Sequence, residues 1–379
     1  MRSTLTEAAD CSATAEAPWW LAAPSFKAAV ERKPAPPLAS AYFQLGEAVL
    51  EISSDDVAFL ERFDQLYGEA AVARPAAPNE PRVRCIVRRA TPPAPISLTF
   101  LKGAPPDPAA GALSLMQPTG VMPPYSVYDS PVPGWRLAGS ATRPVVTVNG
   151  AHVLIDSEIT RPDFLVEYLV SATLAAQPGL LIAHAASLRI GDGAVLLIGP
   201  THSGKTTMCV HMGARGHAVF GDDAAVIRLS TAEVIPWRQT TRLRSGPRSP
   251  EVTAALSRLT RTHDESVRIA GESSMLFQVS ELFPGAPPRP AKLRAAFFLS
   301  GFAAEPSLAP FQFTLQYLDS YDCLADSDMA YKWWGLGHAQ RALRLLALKQ
   351  VLASLPSWRL MVGPPAETAR LIEQTMEAL

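Results

Sequence analysis

The sequence predicts an α/β C-terminal domain preceded by an α+β accessory domain, and three observations carry that expectation. Ala194-Val195-Leu196-Leu197-Ile198 is an unbroken apolar run of strand length. Directly after it, Gly199-Pro200-Thr201-His202-Ser203-Gly204-Lys205-Thr206 fits the phosphate-binding pattern G-x-x-x-x-G-K-[ST], the P-loop. Thr206 to Arg215 can then form a helix ended by Gly216. Strand, glycine-rich loop and helix in that order let backbone N–H groups curl around phosphate oxygens while the helix N-terminus adds positive dipole. In such a loop Lys205 reaches the β- and γ-phosphates and Thr206 ligates Mg²⁺, with Thr207 beside it in the first helical turn.

The 379 residues are enough for two or three domains, and 48% hydrophobic content is enough for real cores. With 34 basic and 35 acidic residues the net charge is -1, which supplies no footprint for nucleic acid or an anionic membrane. Cys11, Cys85, Cys209 and Cys323 are far apart and show no metal-binding or disulfide spacing. Glu7 and Asp10 stand where a signal peptide needs apolar residues, and no run of 18 apolar residues occurs. The expected location is cytoplasmic.

Residues 1–39, rich in Ala, Pro and Ser, read as a flexible arm with Trp19-Trp20 as its one large apolar pair. Residues 40–176 read as the accessory domain. Its first elements are a hairpin around Gly46-Glu47 and a helix capped by Ser53 or Ser54, with Val57, Leu60, Phe63, Leu66 and Tyr67 on one face. Arg82–Arg88 and Ile96–Leu101 read as half-buried strands. Residues 102–144 hold too much Pro and Gly for long elements. Asn149-Gly150 marks a hairpin, and a helix from about Pro162 to Ala176 turns Phe164, Leu165, Tyr168 and Leu169 inward.

Residues 177–379 form the α/β domain. Leu180 to Ile190 reads as one strand, hairpinned through Gly191-Asp192-Gly193 to the strand before the loop. Pairing about Asp192 sets residue 184 opposite residue 200, so His184 stands beside the loop either as a core histidine or as a functional one. After the helix, Ala218-Val219-Phe220-Gly221 is a strand ending in Asp222-Asp223, which a right-handed crossover returns to the loop's edge. One carboxylate can bind Mg²⁺ and the other can take a proton from an attacking hydroxyl. Downstream, Arg242, Arg244, Arg248 and Arg268 are candidate phosphate partners among which the sequence does not choose. A helix follows them at about 250–262, Leu293 to Leu299 reads as a core strand, and the Tyr331–Trp334 cluster leads into a helix from His338 to Leu355. That helix carries Leu343, Leu346, Leu348 and Leu352, and the chain closes with a strand, Trp358 to Val362, and a helix opened by Pro364-Pro365.

These residues resemble the HPr kinase/phosphorylase superfamily, whose P-loop kinases share ancestry with phosphoenolpyruvate carboxykinases. His184 precedes Gly199 by 15 positions, Arg215-Gly216-His217 leads into the strand ending in two aspartates, and Asp222 lies 17 residues beyond Lys205. The resemblance implies Asp222 as catalytic base, Asp223 near the metal, where the P-loop pattern also sets Thr206, and a nearby electrostatic role for His184. It is most similar to the divergent kinase-like branch, because Thr201-His202-Ser203 departs from the usual loop and no Glu-Ile-Arg-Gly element follows. Some members of that branch phosphorylate ribosomally made peptides or small hydroxyl compounds.

The expected activity is ATP-dependent transfer of the γ-phosphoryl group to a hydroxyl of a peptide, protein or small molecule, with ATP and Mg²⁺ as cofactors. A homo-oligomer is compatible with the sequence. Two other classes stay open: an ATP-binding sensor or scaffold without productive transfer, and a P-loop ATPase. GTPase chemistry is excluded because Asn79 and Asn149, the only asparagines, both precede the loop and leave no N-K-x-D motif. Eukaryotic-type kinase chemistry lacks its H-R-D element.

Overall fold

The computed structural model describes residues 39–54, 56–74, 82–88, 112–113, 125–129, 135–139, 144–149, 152–156, 166, 169–170, 173–174, 177, 179–237, 241–244, 250–257, 267–269, 272–283, 288–321, 323–324 and 337–379. Trp19-Trp20, Ile96–Leu101, Phe164, Leu165, Tyr168, Arg248 and the Tyr331–Trp334 cluster lie outside them.

Strands β1 (Ala39–Leu45) and β2 (Ala48–Ser54) form the expected hairpin, Leu45 opposite Ala48, with Gly46 at φ 66° in the turn. Helix α1 (Val57–Tyr67) is capped by Asp56, whose carboxylate accepts from the Phe59 N–H at 3.2 Å. Neither serine is the cap. Ser54 Oγ instead accepts from the Asp56 N–H at 2.9 Å, which turns the chain so that Asp56 reaches the helix. Phe59, Phe63 and Tyr67 are the buried face, Leu60 and Leu66 flank it, and Val57 is exposed. The rest of this sheet comprises β3 (Arg82–Arg88), β4 (Ala112–Leu113), β5 (Tyr125–Asp129), β6 (Trp135–Gly139), β7 (Pro144–Asn149) and β8 (His152–Asp156). Its order is β1-β2-β3-β8-β7-β6-β5-β4, and Asn149 pairs with His152 across the second expected hairpin.

The second sheet is mixed. Its members are β9 (Leu180–Ala183), β10 (Ala185–Ile190), β11 (Gly193–Ile198), β12 (Ala218–Gly221), β13 (Ala225–Arg228) and β14 (Glu233–Ile235), with three later strands. Between them run helix α2 (Lys205–Ala214), a small three-stranded sheet of β15 (Thr241–Arg244), β16 (Val267–Ile269) and β17 (Glu272–Phe277), and helices α3 (Pro250–Ser257) and α4 (Val279–Leu282). The later strands are β18 (Ala291–Phe302), β19 (Ser307–Pro310) and β20 (Ser357–Val362). They are interleaved with helices α5 (Leu315–Ser320), α6 (Gly337–Ala353) and α7 (Pro365–Glu377). The order is β12-β10-β11-β18-β14-β13-β9, with β20 on β18 and β19 on β20.

The expected single strand from Leu180 to Ile190 is broken at His184. Its first half pairs with β13 and its second with β11 and β12, so one continuous ladder would have to serve two partners at once. The β10–β11 turn holds two residues, not three, and Ala185 pairs with Ile198. That register carries residue 184 toward 199, one position short of the expected 200. Strand β12 lies beside β10, antiparallel to it, so it runs in the direction of β11 without touching it. Asp222 and Asp223 therefore emerge at the same edge as the loop, through a mixed arrangement and not an adjacent parallel pair.

One buried cluster joins β1, β2, α1 and the helical residues Val166, Leu169, Val170 and Leu174 to Leu180, Ile182, Val226 and Ile235 of the second sheet and to Trp237 just after β14. Gln177 ties the joint, donating to Leu45 O at 3.0 Å and accepting from the Glu47 N–H at 2.7 Å. On the second sheet, α5 and α6 cover one face while α2 and α7 cover the other. In α6 the inward residues are Leu345, Leu348, Val351 and Leu352, whereas Leu343 and Leu346, expected inside, are exposed. A helix so rich in leucine has two apolar stripes, and the sheet takes only one.

Candidate active site

Strand β11 is buried along its whole length and delivers Gly199 to the sheet edge. A Cβ on Gly199 would lie 2.7 Å from Leu299 O and 2.7 Å from Ser203 Oγ, so only glycine lets the loop pass this close to β18. Pro200 O accepts from the Ser203 N–H at 3.1 Å, closing the loop through Thr201 and His202, both exposed. His202 sits at φ 69° and Gly204 at φ 95°, two left-handed residues that turn the chain into α2. For a histidine that conformation costs on the order of 1–2 kcal/mol. Gly204 has no side chain to cap α2, so the first N–H groups of the helix have no side-chain partner there.

Lys205 is 6% exposed, and its ammonium donates to Gly199 O at 2.8 Å and Pro200 O at 3.2 Å. Burial pushes its pKa below the ordinary lysine value, opposed in turn by Asp223, the Cys323 sulfur and Asp222. Thr206 and Thr207 follow in the first turn of α2. Ser203 Oγ is buried and has no hydrogen-bond partner among the described residues.

The two aspartates differ sharply. Asp222 is 5% exposed, and beneath it the Cys209 thiol is pushed up by burial and then by the Asp222 charge, so that sulfur stays protonated. The Asp223 side chain is 65% exposed, and its Oδ1 lies 3.2 Å from His184 Nε2. The break at His184 is held by its backbone N–H donating to Cys323 O at 2.9 Å, next to a bridge between Ala183 and Leu324. His184, Asp222, Asp223 and Lys205 thus meet at one sheet edge. Cys323 joins them unannounced, because it sits far along the chain with no motif around it.

The arginines behave differently. Arg242 and Arg244 lie on β15 and Arg268 on β16, in the small separate sheet. Arg215 and His217 are turned to the opposite end of α2, where both bind Glu373 of α7.

For a magnesium nucleotide, the residues present fit. Mg²⁺ is commonly held by one or two carboxylates together with substrate phosphates. Asp222, Asp223 and Thr206 offer that donor set, and no cluster of three or more His, Cys, Asp or Glu suited to a self-sufficient metal cage occurs among the described residues. The orphaned Ser203 hydroxyl and the first N–H groups of α2, which have no side-chain cap, suit an oxygen-rich anion. No helix among the described residues is long and apolar enough to cross a membrane.

No family model matches the sequence, and no curated protein matches it. Among solved structures the chain is similar to the Hpr(Ser) kinase/phosphatase from Coxiella burnetii, at 12% identity and a TM-score of 0.27, over 52% of this chain and 97% of that one. At those values the likeness is partial and of shape alone.

Proposed function

We propose that the protein is an ATP-dependent phosphotransferase that moves the γ-phosphoryl group to a hydroxyl of a peptide, a protein or a small molecule. The observation that carries this reading is the meeting of a buried lysine at the head of α2 with Asp222, Asp223 and His184 at one sheet edge. Phosphoryl transfer needs little covalent chemistry from the protein, mainly positioning and charge stabilisation, with one group to take the proton.

Bound Mg²⁺ would neutralise charge on the β- and γ-phosphates, held through Asp223 and Thr206. The 199–206 backbone binds the phosphates, and Lys205 exchanges its two carbonyl acceptors for phosphate oxygens. The acceptor oxygen forms its bond to the γ-phosphorus as the bond from that phosphorus to ADP breaks. Asp222 receives the proton of the acceptor hydroxyl.

A second assignment is favoured by exposure. Asp223 is open to solvent and paired with His184, whereas Asp222 is enclosed, so Asp223 can serve as the proton acceptor and Asp222 as the phosphate-side charge. Transfer of labelled γ-phosphate to candidate peptides and metabolites, with wild type, Asp222→Asn and Asp223→Asn, separates these. The base variant should keep Mg²⁺–ATP affinity within a few-fold and lose roughly two to four orders of magnitude in rate. Absence of transfer to any acceptor, with ATP still bound, would favour the sensor or scaffold. ATP hydrolysis without an acceptor would favour an ATPase.

A further inference from the structure

We infer that the ring of Phe302 is a stacking platform for the base of the nucleotide whose phosphates the 199–206 loop binds, an inference that rests on the nucleotide reading above. Phe302 is 66% exposed, the most exposed large apolar side chain among the described residues. Its strand otherwise hides its rings: Phe297 is buried and stacked on Trp358, and Phe298 is buried against Phe311 and Tyr317.

The position of Phe302 follows from strand length. β18 runs parallel to β11, with Phe298 opposite Ile198, and it continues to Phe302 after β11 has already turned into the loop. Pairing of Phe302 with Val362, and the Ala303 N–H donating to Val362 O at 2.9 Å, fix the backbone there. The ring thus stands beyond the sheet edge, against the head of α2. A Cβ placed on Gly204 would lie 3.5 Å from Phe302 Cε1 and 3.7 Å from Cζ, the two atoms beyond its adjoining chain that come within 4 Å. The tip of the Phe302 ring therefore lies close to Gly204, the residue whose N–H the proposed reading turns toward a phosphate.

The surroundings of Phe302 are small: Gly301 precedes it, and Ala303 and Ala304, both exposed, follow it. A nucleotide bound through its phosphates at the head of α2 must lead its sugar and base away from the loop. A flat apolar ring at that exit removes the base's face from water, an interaction open to any base because each has a π-face.

The test compares two probes on the full-length protein, Mg²⁺–ATP and Mg²⁺–tripolyphosphate, which share phosphates and differ in the nucleoside. Phe302→Ala should weaken ATP binding about tenfold while tripolyphosphate affinity stays within about twofold, since only the base touches the ring. An unchanged thermal midpoint is expected for so exposed a residue. Phe302→Trp should bind ATP at least as well as wild type, and its indole emission should change with ATP and not with tripolyphosphate. Equal loss of both ligands in Phe302→Ala, or no loss of either, would overturn the inference, as would an indole blind to ATP. Failure of the underlying reading looks different: wild type would bind neither probe, or Lys205→Ala would bind both as wild type does.

Discussion

The two ends of helix α2 carry similar chemistry arranged to opposite effect. At its C-terminal end, Arg215 donates to both Glu373 oxygens at 2.9 and 2.6 Å, His217 Nε2 lies 2.7 Å from Oε1, and Gly216 at φ 98° turns the chain out of the helix. Arg215 and His217 there both have a partner within the protein. At the N-terminal end, Lys205 is desolvated, its ammonium held only by loop carbonyls among the hydrogen bonds described for it, and Ser203 Oγ is buried and unpartnered. His202 holds a strained backbone beside them. An unpaired buried hydroxyl costs about 1–3 kcal/mol. Folding alone gains nothing from such an arrangement; on the proposed reading an incoming oxygen-rich ligand would, which would make this a binding end and the other a bracing end.

Substitutions at the two ends should separate function from stability. The largest effect is expected from Lys205→Ala, which should bring phosphoryl transfer below detection and weaken ATP binding about tenfold or more, measured by calorimetric titration. Its folding stability should fall by no more than about 1 kcal/mol, because the removed charge is already desolvated. A larger loss in denaturant melts than in any bracing-end variant would break the comparison.

Gly199→Ala comes next. Its methyl would meet Leu299 O and Ser203 Oγ, and a strand carbonyl cannot swing aside, so stability should drop by about 1–3 kcal/mol with loss of nucleotide binding. Wild-type melting and affinity would show that the close approach of loop to β18 has no consequence.

Glu373→Gln should act on stability alone, by about 1 kcal/mol, leaving ATP affinity unchanged. The hydrogen bonds of Arg215, and then those of His217, hold the Glu373 carboxyl below its ordinary value of 4.5, although burial pushes the other way. A carboxylate depressed on folding stabilises fully above its unfolded value and loses that contribution as pH falls through the folded one. Wild type should therefore lose thermal midpoint below about pH 4.5 more steeply than Glu373→Gln. Parallel curves would remove the clasp from the account.

The smallest stability effect belongs to Ser203→Ala. Removing an unpartnered buried hydroxyl should leave stability level or raise it slightly, while ATP affinity falls a few-fold. A clear loss of stability would mean that the hydroxyl braces the loop in the free protein.

Much of the site's frame was legible in the chain. The loop, the helix after it, its glycine stop and the Gly46-Glu47 and Asn149-Gly150 hairpins follow from spacing and turn chemistry, which act over a few residues. So does β18, where apolar residues run through the strand. These features need no distant partner to take shape.

What tertiary structure decided is what depends on distant partners. His184 leaves its strand because two different neighbours claim the halves on either side of it. Asp222 is enclosed and Asp223 open, although the two are adjacent and chemically identical. Leu345 and Leu348 of α6 go inward and Leu343 and Leu346 stay out because the sheet covers one stripe of that helix. Phe302 was invisible because its place beside Gly204 comes from how far β18 outruns β11. Local pattern sets which conformations a segment prefers, but burial and proximity are properties of pairs, and the partners of these residues lie tens to more than a hundred positions away.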